Sequence, residues 1–289
     1  MLVDERDLEE EVTPDEIKDR IILGDCKSVF PRLPDGSFDM IFLDPPYHMR
    51  RGNHHLNRWN SGSEARRAID EWDRFSSPLE YEKFIRGIVT ESRRILKENG
   101  SIWLSGTYHS IFTTGKILQE SGFWILNDVI WIKSNPMPNW RGSRFTNATE
   151  TLIWAVKGSE IKDYTFRKER AKEFGIGRIG SNVWVLPAAM GKERVKDTRE
   201  KTLHSAQKPL ELMKRIILTS TEMGDLILDP MSGVGTTGYA ARRYKRNFVM
   251  IEKNRDFAEA SERRLKERKN PKRGDNNPYP EIEDLRLGS

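Results

Sequence analysis

Residues 226–252, LILDPMSGVGTTGYAARRYKRNFVMIE, contain a whole supersecondary unit. An apolar run of strand length ends at Asp229, a turn with Gly233 and Gly235 follows, and TGYAARRYK leads as a helix into a second apolar run ending at Glu252. Strand, helix, strand in that order is a parallel βαβ unit. Its glycines then stand at the carboxyl edge of the sheet, where backbone can approach a nucleotide-like ligand. The run Gly233-Val234-Gly235-Thr236-Thr237-Gly238 departs from the dinucleotide pattern GxGxxG. It is not a P-loop either, because no lysine follows the last glycine. Glu252, at the tip of the next strand, is placed where a ribose diol finds its acceptor, so the unit suits an adenosine ligand. A glycine turn with a purely structural purpose is the plainer alternative.

Working outward, PLELMKRIILTSTEMG (209–224) is a helix that feeds this unit, and RIILGD (20–25), SFDMIFLD (37–44) and GSIWLSG (100–106) are strands closed by turn formers. Between the last two, SPLEYEKFIRGIVTESRRILKENG (77–100) has apolar residues at helical spacing. Ser77-Pro78 is its predicted start and Asn99-Gly100 its predicted stop, which makes a second parallel βαβ unit. GFWILNDVIWIKS and ETLIWAVKG are further strands around a polar, basic loop containing NPMPNWRGSRFTN. Residues 159–205 show little periodicity, and structureless stretches of that length are often functional. With RIILGD beside NFVMIE the sheet assembles without knots. The predicted fold is α/β, a doubly wound and mostly parallel sheet with an inserted region.

The 289 residues carry a net charge of +5, and the distribution is uneven. Residues 1–19 hold nine acids against two bases, so the remainder carries +12, of which +7 lies in residues 133–201. A basic segment of that kind attracts phosphate polymers, although a solvated lysine-rich surface is the bland alternative. The start reads as an acidic arm without visible chemistry. The end, after about residue 262, reads as a charged tail. No apolar run reaches the roughly 18 residues of a membrane span, so a soluble intracellular protein with no membrane partner is expected. Cys26 is the sole cysteine, and the five histidines show no ligand spacing, so no metal is expected.

LDPPY, residues 43–47, ends a buried strand with a carboxylate, two prolines and an aromatic ring. The prolines lock the backbone and bring no N–H groups, so the turn presents acceptors only, the Asp44 carboxylate and the Pro45 carbonyl. Such a turn asks for a donor with two hydrogens. The exocyclic amine of adenine or cytosine is one, and Tyr47 supplies a flat face for the base. A strand-end turn with a packed tyrosine would also satisfy this segment taken alone.

DPPY together with DPMSGVGTT resembles the superfamily of amino-methyltransferases that use S-adenosylmethionine, and the order of the motifs is similar to the β-class of DNA methyltransferases. EWDRFSS, GSIWLSGTYHSIF, the block from GFWILND to LIWA, GKERVKD and HSAQKPLELMKRII resemble the adenine-specific subgroup, which contains cell-cycle-regulated and restriction-modification enzymes. The resemblance covers about residues 20–262. It implies a circularly permuted Rossmann-like methyltransferase fold and transfer of a methyl group to adenine N6 in double-stranded DNA after base flipping.

Carried onto matching positions, the resemblance implies that Asp44, Pro45, Pro46 and Tyr47 form the catalytic loop. Asp229, Pro230, Gly233, Gly235 and Thr236 would cradle the methionine part of the cofactor, and Glu252 its ribose. Asp25 and Cys26 would approach its adenine, and Gln207, Lys208 and Pro209 its carboxylate. Departures from the family pattern are His48 for Asn, Thr149 for His, Ser205-Ala206 for Pro-Thr and Met231 for Phe. Ala206 removes a hydroxyl that could have met the cofactor, whereas Met231 can fill an aromatic's space. DNA contact would fall to Lys133, Asn139, Arg141, Arg144 and Asn147, with Trp140 as a wedge. The polar loop from Arg50 to Ser63 is expected to order over substrate. The family often forms dimers, and some members partner a restriction endonuclease. Cytosine N4 or an RNA base is the alternative substrate. A nicotinamide oxidoreductase leaves DPPY and the basic insert unexplained, and a non-catalytic binding module would not need both motifs intact.

Overall fold

The computed structural model describes residues 1–47, 75–139, 142–174, 180–197, 199–204 and 206–267. The strands are β1 (Leu2–Asp4), β2 (Arg20–Leu23), β3 (Phe38–Leu43), β4 (Leu96–Gly106), β5 (Trp124–Lys133), β6 (Thr149–Val156), β7 (Val183–Leu186), β8 (Leu226–Asp229) and β9 (Asn247–Glu252). The helices are α1 (Pro14–Ile17), α2 (Cys26–Val29), α3 (Pro78–Ile95), α4 (Ile111–Glu120), α5 (Lys168–Phe174), α6 (Leu210–Ser220), α7 (Thr236–Arg243) and α8 (Arg255–Lys266).

Met40, Ile41, Phe42 and Leu43 are all buried, yet they belong to two cores. Side chains alternate across a strand, so Ile41 and Leu43 enter a cluster with Ile85, Ile88 and Val89 of α3 and Ile117 and Leu118 of α4. Met40 and Phe42 face the other way, onto Leu212, Met213, Ile216 and Ile217 of α6 and Ala240 and Ala241 of α7. Helices on both faces of a sheet explain why the central strands are continuously apolar. Each large side chain buried in this way contributes about 1.5–3 kcal/mol.

The sheet order is β1-β2-β9-β8-β3-β4-β6-β5-β7. β2 lies parallel to β9, β8 to β9, and β3 to both β4 and β8, so both βαβ units and the placement of RIILGD are as read. Among the described residues β6 alone runs against the rest, antiparallel to β4 and β5. No described helix is long and apolar enough to cross a membrane.

Three stretches differ from expectation. α3 begins at Ser77, whose hydroxyl accepts from the Glu80 amide at 3.1 Å, but it stops at Ile95 and the chain passes directly into β4. Asn99-Gly100 is therefore inside a strand. The pairing jumps from Phe38↔Leu96 to Met40↔Ser101, and a Cβ on Gly100 would lie 2.8 Å from the Leu96 side chain, so the glycine serves a bulge. The acidic start donates β1 to the sheet edge, paired with β2. The aperiodic stretch contains α5 and β7, and Trp184 of β7 packs its ring 6.0 Å from that of Trp103 in the core.

Candidate active site

Parallel strands deliver their last residues to one edge of a sheet. Here β2 leads to Asp25, β3 to Asp44, β8 to Asp229 and β9 to Glu252, while β4 presents Ser105 one residue before its end. The reversed β6 brings its beginning to that same edge. Ser105 is opposite Leu152 and Gly106 opposite Thr151, and Glu150, next along β6, meets the Tyr47 hydroxyl at 3.4 Å, as Ser105 does at 3.3 Å.

Asp44 is the centre of a buried polar cluster. Tyr47 donates its hydroxyl to Asp44 Oδ1 at 2.6 Å, Ser105 donates to the same oxygen, and Lys208 Nζ donates to Oδ2 at 2.7 Å. Lys208 also donates to the Tyr47 hydroxyl at 2.6 Å and stands 3.7 Å from Glu150 Oε2. Lys133 Nζ closes the row, 2.7 Å from Glu150 Oε1. Burial pushes the Asp44 carboxyl up, but the Lys208 ammonium and the Ser105 and Tyr47 hydroxyls reverse this and hold it below the ordinary aspartate value. Burial likewise opposes the charge on Lys208, and Asp44 and Glu150 overcome it. The Tyr47 phenol is driven well above its usual value by burial and then by the Asp44 carboxylate, so it stays a donor. A carboxylate has about four lone-pair sites. Among the described residues protein donors occupy three on Asp44, which leaves one.

A 610 Å³ cavity extends from this cluster to the glycine turn. It is lined by Asp44, Pro45, Pro46, Tyr47 and Lys208 together with Gly233, Thr236, Asp229, Pro230 and Met231. Glu252, Asp25, Cys26 and Gln207 also line it, and His204 stands against the glycine turn, its Nε2 3.3 Å from where a Cβ on Gly233 would be. Volumes of this order hold cofactor-sized ligands. Gly233 has φ +53° and Gly235 φ +74°, the left-handed region that glycine takes without strain. The Gly233 amide donates to Glu252 Oε2 at 2.7 Å, and Asp229 receives the Met231 amide at 3.1 Å and the Thr237 hydroxyl at 2.5 Å. Among the described residues the Ser232 hydroxyl, buried against the cavity, has no hydrogen-bond partner, an orphan that a polar ligand would satisfy. These features fit an adenosine ligand with a polar tail.

Burial raises both Asp229 and Glu252 to about 7. A carboxyl raised on folding stabilises the protein fully below its unfolded value, and that share is lost as pH climbs through its folded value. For Glu252 the shift corresponds to about 3 kcal/mol. The thermal midpoint of the ligand-free protein should therefore fall as pH is raised from about 5 to about 8, and Glu252→Gln should flatten the fall. Ligand hydroxyls that donate to Glu252 favour its ionised form, so affinity should rise over the same interval. A midpoint that climbs with pH in differential scanning fluorimetry would refute the assignment.

Not every expected residue meets the cavity. Gly235 packs behind the turn and Pro209 opens α6, so neither is among the lining residues. Gln207 gives both ends of its amide to backbone, accepting from the Val195 amide at 2.9 Å and donating to the Glu193 carbonyl at 2.8 Å. Asp25 caps α2 and is paired with Lys253 at 2.9 Å. Burial pushes the Cys26 thiol up to about 12, so it stays protonated. Tyr47, expected to offer its flat face to a base, is 6% exposed, and its hydroxyl is drawn into the Asp44 cluster. Lys208, expected at a cofactor carboxylate, spends two donors on Asp44 and Tyr47.

Of the expected DNA contacts, Lys133 is held by Glu150 and stands 5.3 Å from the Trp131 ring centroid, so it is not a free surface cation. Asn139 donates to the Arg144 carbonyl at 2.7 Å, and Arg144 donates to the Tyr108 hydroxyl at 2.7 Å, which lays the β5–β6 loop across the site's edge. Asn147 is exposed, and so is Phe145, which no motif had singled out. Trp140, Arg141, Ser205, His48 and the loop from Arg50 to Ser63 lie outside the described residues.

Ser105, Glu150 and His204 were missed as site residues. Each carried a signal of sorts: a hydroxyl at the end of a buried strand, an acid at the start of an apolar one, a histidine two residues before a lining loop. His204 receives the Ala206 amide on Nδ1 at 3.2 Å, and burial pushes it down to about 4, so it is neutral.

Comparison with known proteins agrees with this geometry. A family model described as DNA methylase, covering N6 and N4 enzymes, matches residues 38–263. The type II methyltransferase M.HinfI of Haemophilus influenzae is 42% identical over 247 residues, 86% of this chain and 68% of its own. M2.MboI of Moraxella bovis, also a type II methyltransferase, is 40% identical over 247 residues, covering 86% and 87%. The crystal structure of the M1.HpyAVI–SAM complex superimposes with a TM-score of 0.61 at 25% identity, over 85% of this chain and 98% of that one. The cytosine-N4-specific PvuII DNA methyltransferase gives 0.65 over 85% of each chain, and at 20% identity it speaks for the fold alone.

Proposed function

Because the chain belongs to the DNA methylase family, we propose that it transfers a methyl group from S-adenosylmethionine to the N6 amine of adenine in double-stranded DNA. The observation that carries this reading is the Asp44 carboxylate, which takes three donors among the described residues and so keeps one acceptor position, beside the acceptor-only turn and in the lining of the adenosine-sized cavity. The sequence blocks similar to the adenine-specific subgroup favour adenine over cytosine.

An aromatic amine attacks poorly while its lone pair is delocalised into the ring. Asp44 and the Pro45 carbonyl would each accept one amine hydrogen, drawing the nitrogen towards tetrahedral geometry and directing its lone pair into the cavity. Pro46 fixes the turn, and Tyr47 would stack the flipped base once its face is uncovered. Bound S-adenosylmethionine supplies a sulfonium methyl group as electrophile. Asp229, Pro230, Gly233 and Thr236 would hold its methionine part, with Gly235 shaping the turn behind them. Glu252 would accept from the ribose hydroxyls, Asp25 and Cys26 would flank the adenine, and Gln207 with Pro209 would shape the wall near the carboxylate. The buried, protonated Cys26 serves no covalent step.

Residues 20–262 would form the catalytic domain and about 133–205 its DNA-recognition region, between an acidic arm (1–19) and a charged tail (263–289). Asn139, Trp140, Arg141, Arg144 and Asn147 would meet DNA there, and Lys133 would brace the loop. The proposal extends to a second copy of the chain and to a cognate restriction endonuclease, in keeping with the type II designation of both relatives, and to action in the cytoplasm on nucleoid DNA. Expression in a methylation-free host, followed by sequencing for modified bases, is expected to find N6-methyladenine in one short motif. N4-methylcytosine, or modification confined to RNA, would select the alternative.

A further inference from the structure

Lys208 is 6% exposed and stands between two carboxylates, Asp44 at 2.7 Å and Glu150 at 3.7 Å, and Glu150 is held in turn by Lys133 at 2.7 Å. The charges alternate along this row, and its members come from four separate parts of the chain. Lys133 ends β5, and its amide donates to the Ala148 carbonyl at 2.8 Å, closing the base of the loop expected at DNA. Taking the methyltransferase reading as its basis, we propose that Lys208, anchored by Glu150 and Lys133, is a positioning residue for the methyl-acceptor site and not a ligand of the cofactor's carboxylate.

An ammonium has three donors. Two go to Asp44 and the Tyr47 hydroxyl, and Glu150 stands 3.7 Å away as a second carboxylate, so the ammonium is already balanced by the protein without a ligand carboxylate. The first two bonds act on the catalytic turn itself. They occupy one side of Asp44 Oδ2, so the remaining lone pair has a defined direction, and they keep the Tyr47 hydroxyl turned inward as a donor to Oδ1. The ion row also ties that orientation to the seating of the β5–β6 loop.

The groups facing Asp44 are Lys208, Glu150 and Asp229, with the Ser105 and Tyr47 hydroxyls and neutral His204. Without Lys208 the charges facing Asp44 are carboxylates. Burial and like charge then favour its protonated form, which cannot accept from the amine. The acid limb of the rate profile should accordingly move up towards neutrality. A lysine that served only the fold or the cofactor would not move it.

The test measures kcat between about pH 5.5 and pH 9 on the duplex identified by methylation mapping, together with S-adenosylmethionine affinity by calorimetry. In Lys208→Met, kcat should fall about a hundred-fold near neutral pH and recover part of the loss at high pH, with affinity within about three-fold of the parent. Lys208→Arg should restore most of the rate. Glu150→Gln should lower kcat about ten-fold and leave the acid limb in place, since Lys208 remains beside Asp44. If Lys208→Met does not fold, the proposal is read from Lys208→Arg, expected to keep most of the rate, and Glu150→Gln, expected about ten-fold slower, both with cofactor affinity within about three-fold of the parent. Cofactor affinity weakened well beyond about three-fold in any of them, or a kcat and pH profile unchanged in Lys208→Met or a kcat unchanged in Glu150→Gln, overturns the proposal. Activity of the unaltered enzyme tests the methyltransferase reading separately.

Discussion

An Asp44→Ala enzyme is expected to bind S-adenosylmethionine within a few-fold of the parent and to transfer the methyl group at least about a thousand-fold more slowly. Asp44 makes no hydrogen bond to the glycine turn, where the Gly233 amide bonds to Glu252 and the Thr237 hydroxyl to Asp229. Cofactor binding should therefore survive. Folding should survive as well, because Lys208 keeps Glu150 as an opposite charge and the Tyr47 hydroxyl as an acceptor. Asp44→Asn should be nearly as inactive. Three donors converge on this side chain, and an amide presents one oxygen to Ser105 and Tyr47 while turning its own donor against Lys208 or the substrate. Single-turnover transfer of labelled methyl, read beside calorimetric affinity, checks both variants. Retained turnover in Asp44→Ala would remove Asp44 from the chemistry.

The polar cluster also explains which parts of this molecule can be read from its sequence. Asp44, Asp229 and Glu252 each terminate a run of apolar residues, and parallel strands all terminate on one edge, so period and order together suffice to bring them into one cavity. Glu150 needs more. It reaches the edge only because β6 is reversed, and its meeting with Lys133 depends on the Ile132↔Thr149 register, which no local pattern encodes. Lys208 shows the limit of a charge argument: a buried ammonium needs a carboxylate, and Asp44, 164 residues away, meets that need as well as a ligand would. Short edge strands escape for another reason. β1 and β7 are three and four residues long, the first running straight into charges and the second into Pro187, and they owe their order to the neighbouring strand more than to propensity. The acidic start consequently hid Glu5, which accepts from the Asp25 amide at 3.0 Å and steadies the turn at the cofactor end of β2.

Gly235→Ala is expected to cost about 3 kcal/mol of stability and to weaken cofactor binding in parallel. The residue caps the start of α7 at φ +74° and ψ 34°, a conformation that costs an alanine about 1–2 kcal/mol. Its Cβ would stand 2.8 Å from the Cβ of Ser261, an atom that no rotamer change can withdraw. Ser261 is fully buried on α8, whose Phe257, Ala258 and Leu265 are locked into the core, so the helix yields less readily than the turn. A turn that opens carries the Gly233 amide away from Glu252 and shifts Thr236, both of which line the cavity. Stability and affinity should thus fall together, as they do not in Asp44→Ala. Adding Ser261→Gly removes the collision but not the left-handed strain, so the double variant should recover roughly half of the lost stability. Urea titration of the four proteins measures this. An unchanged midpoint in Gly235→Ala would mean that the turn is not held against α8 as described.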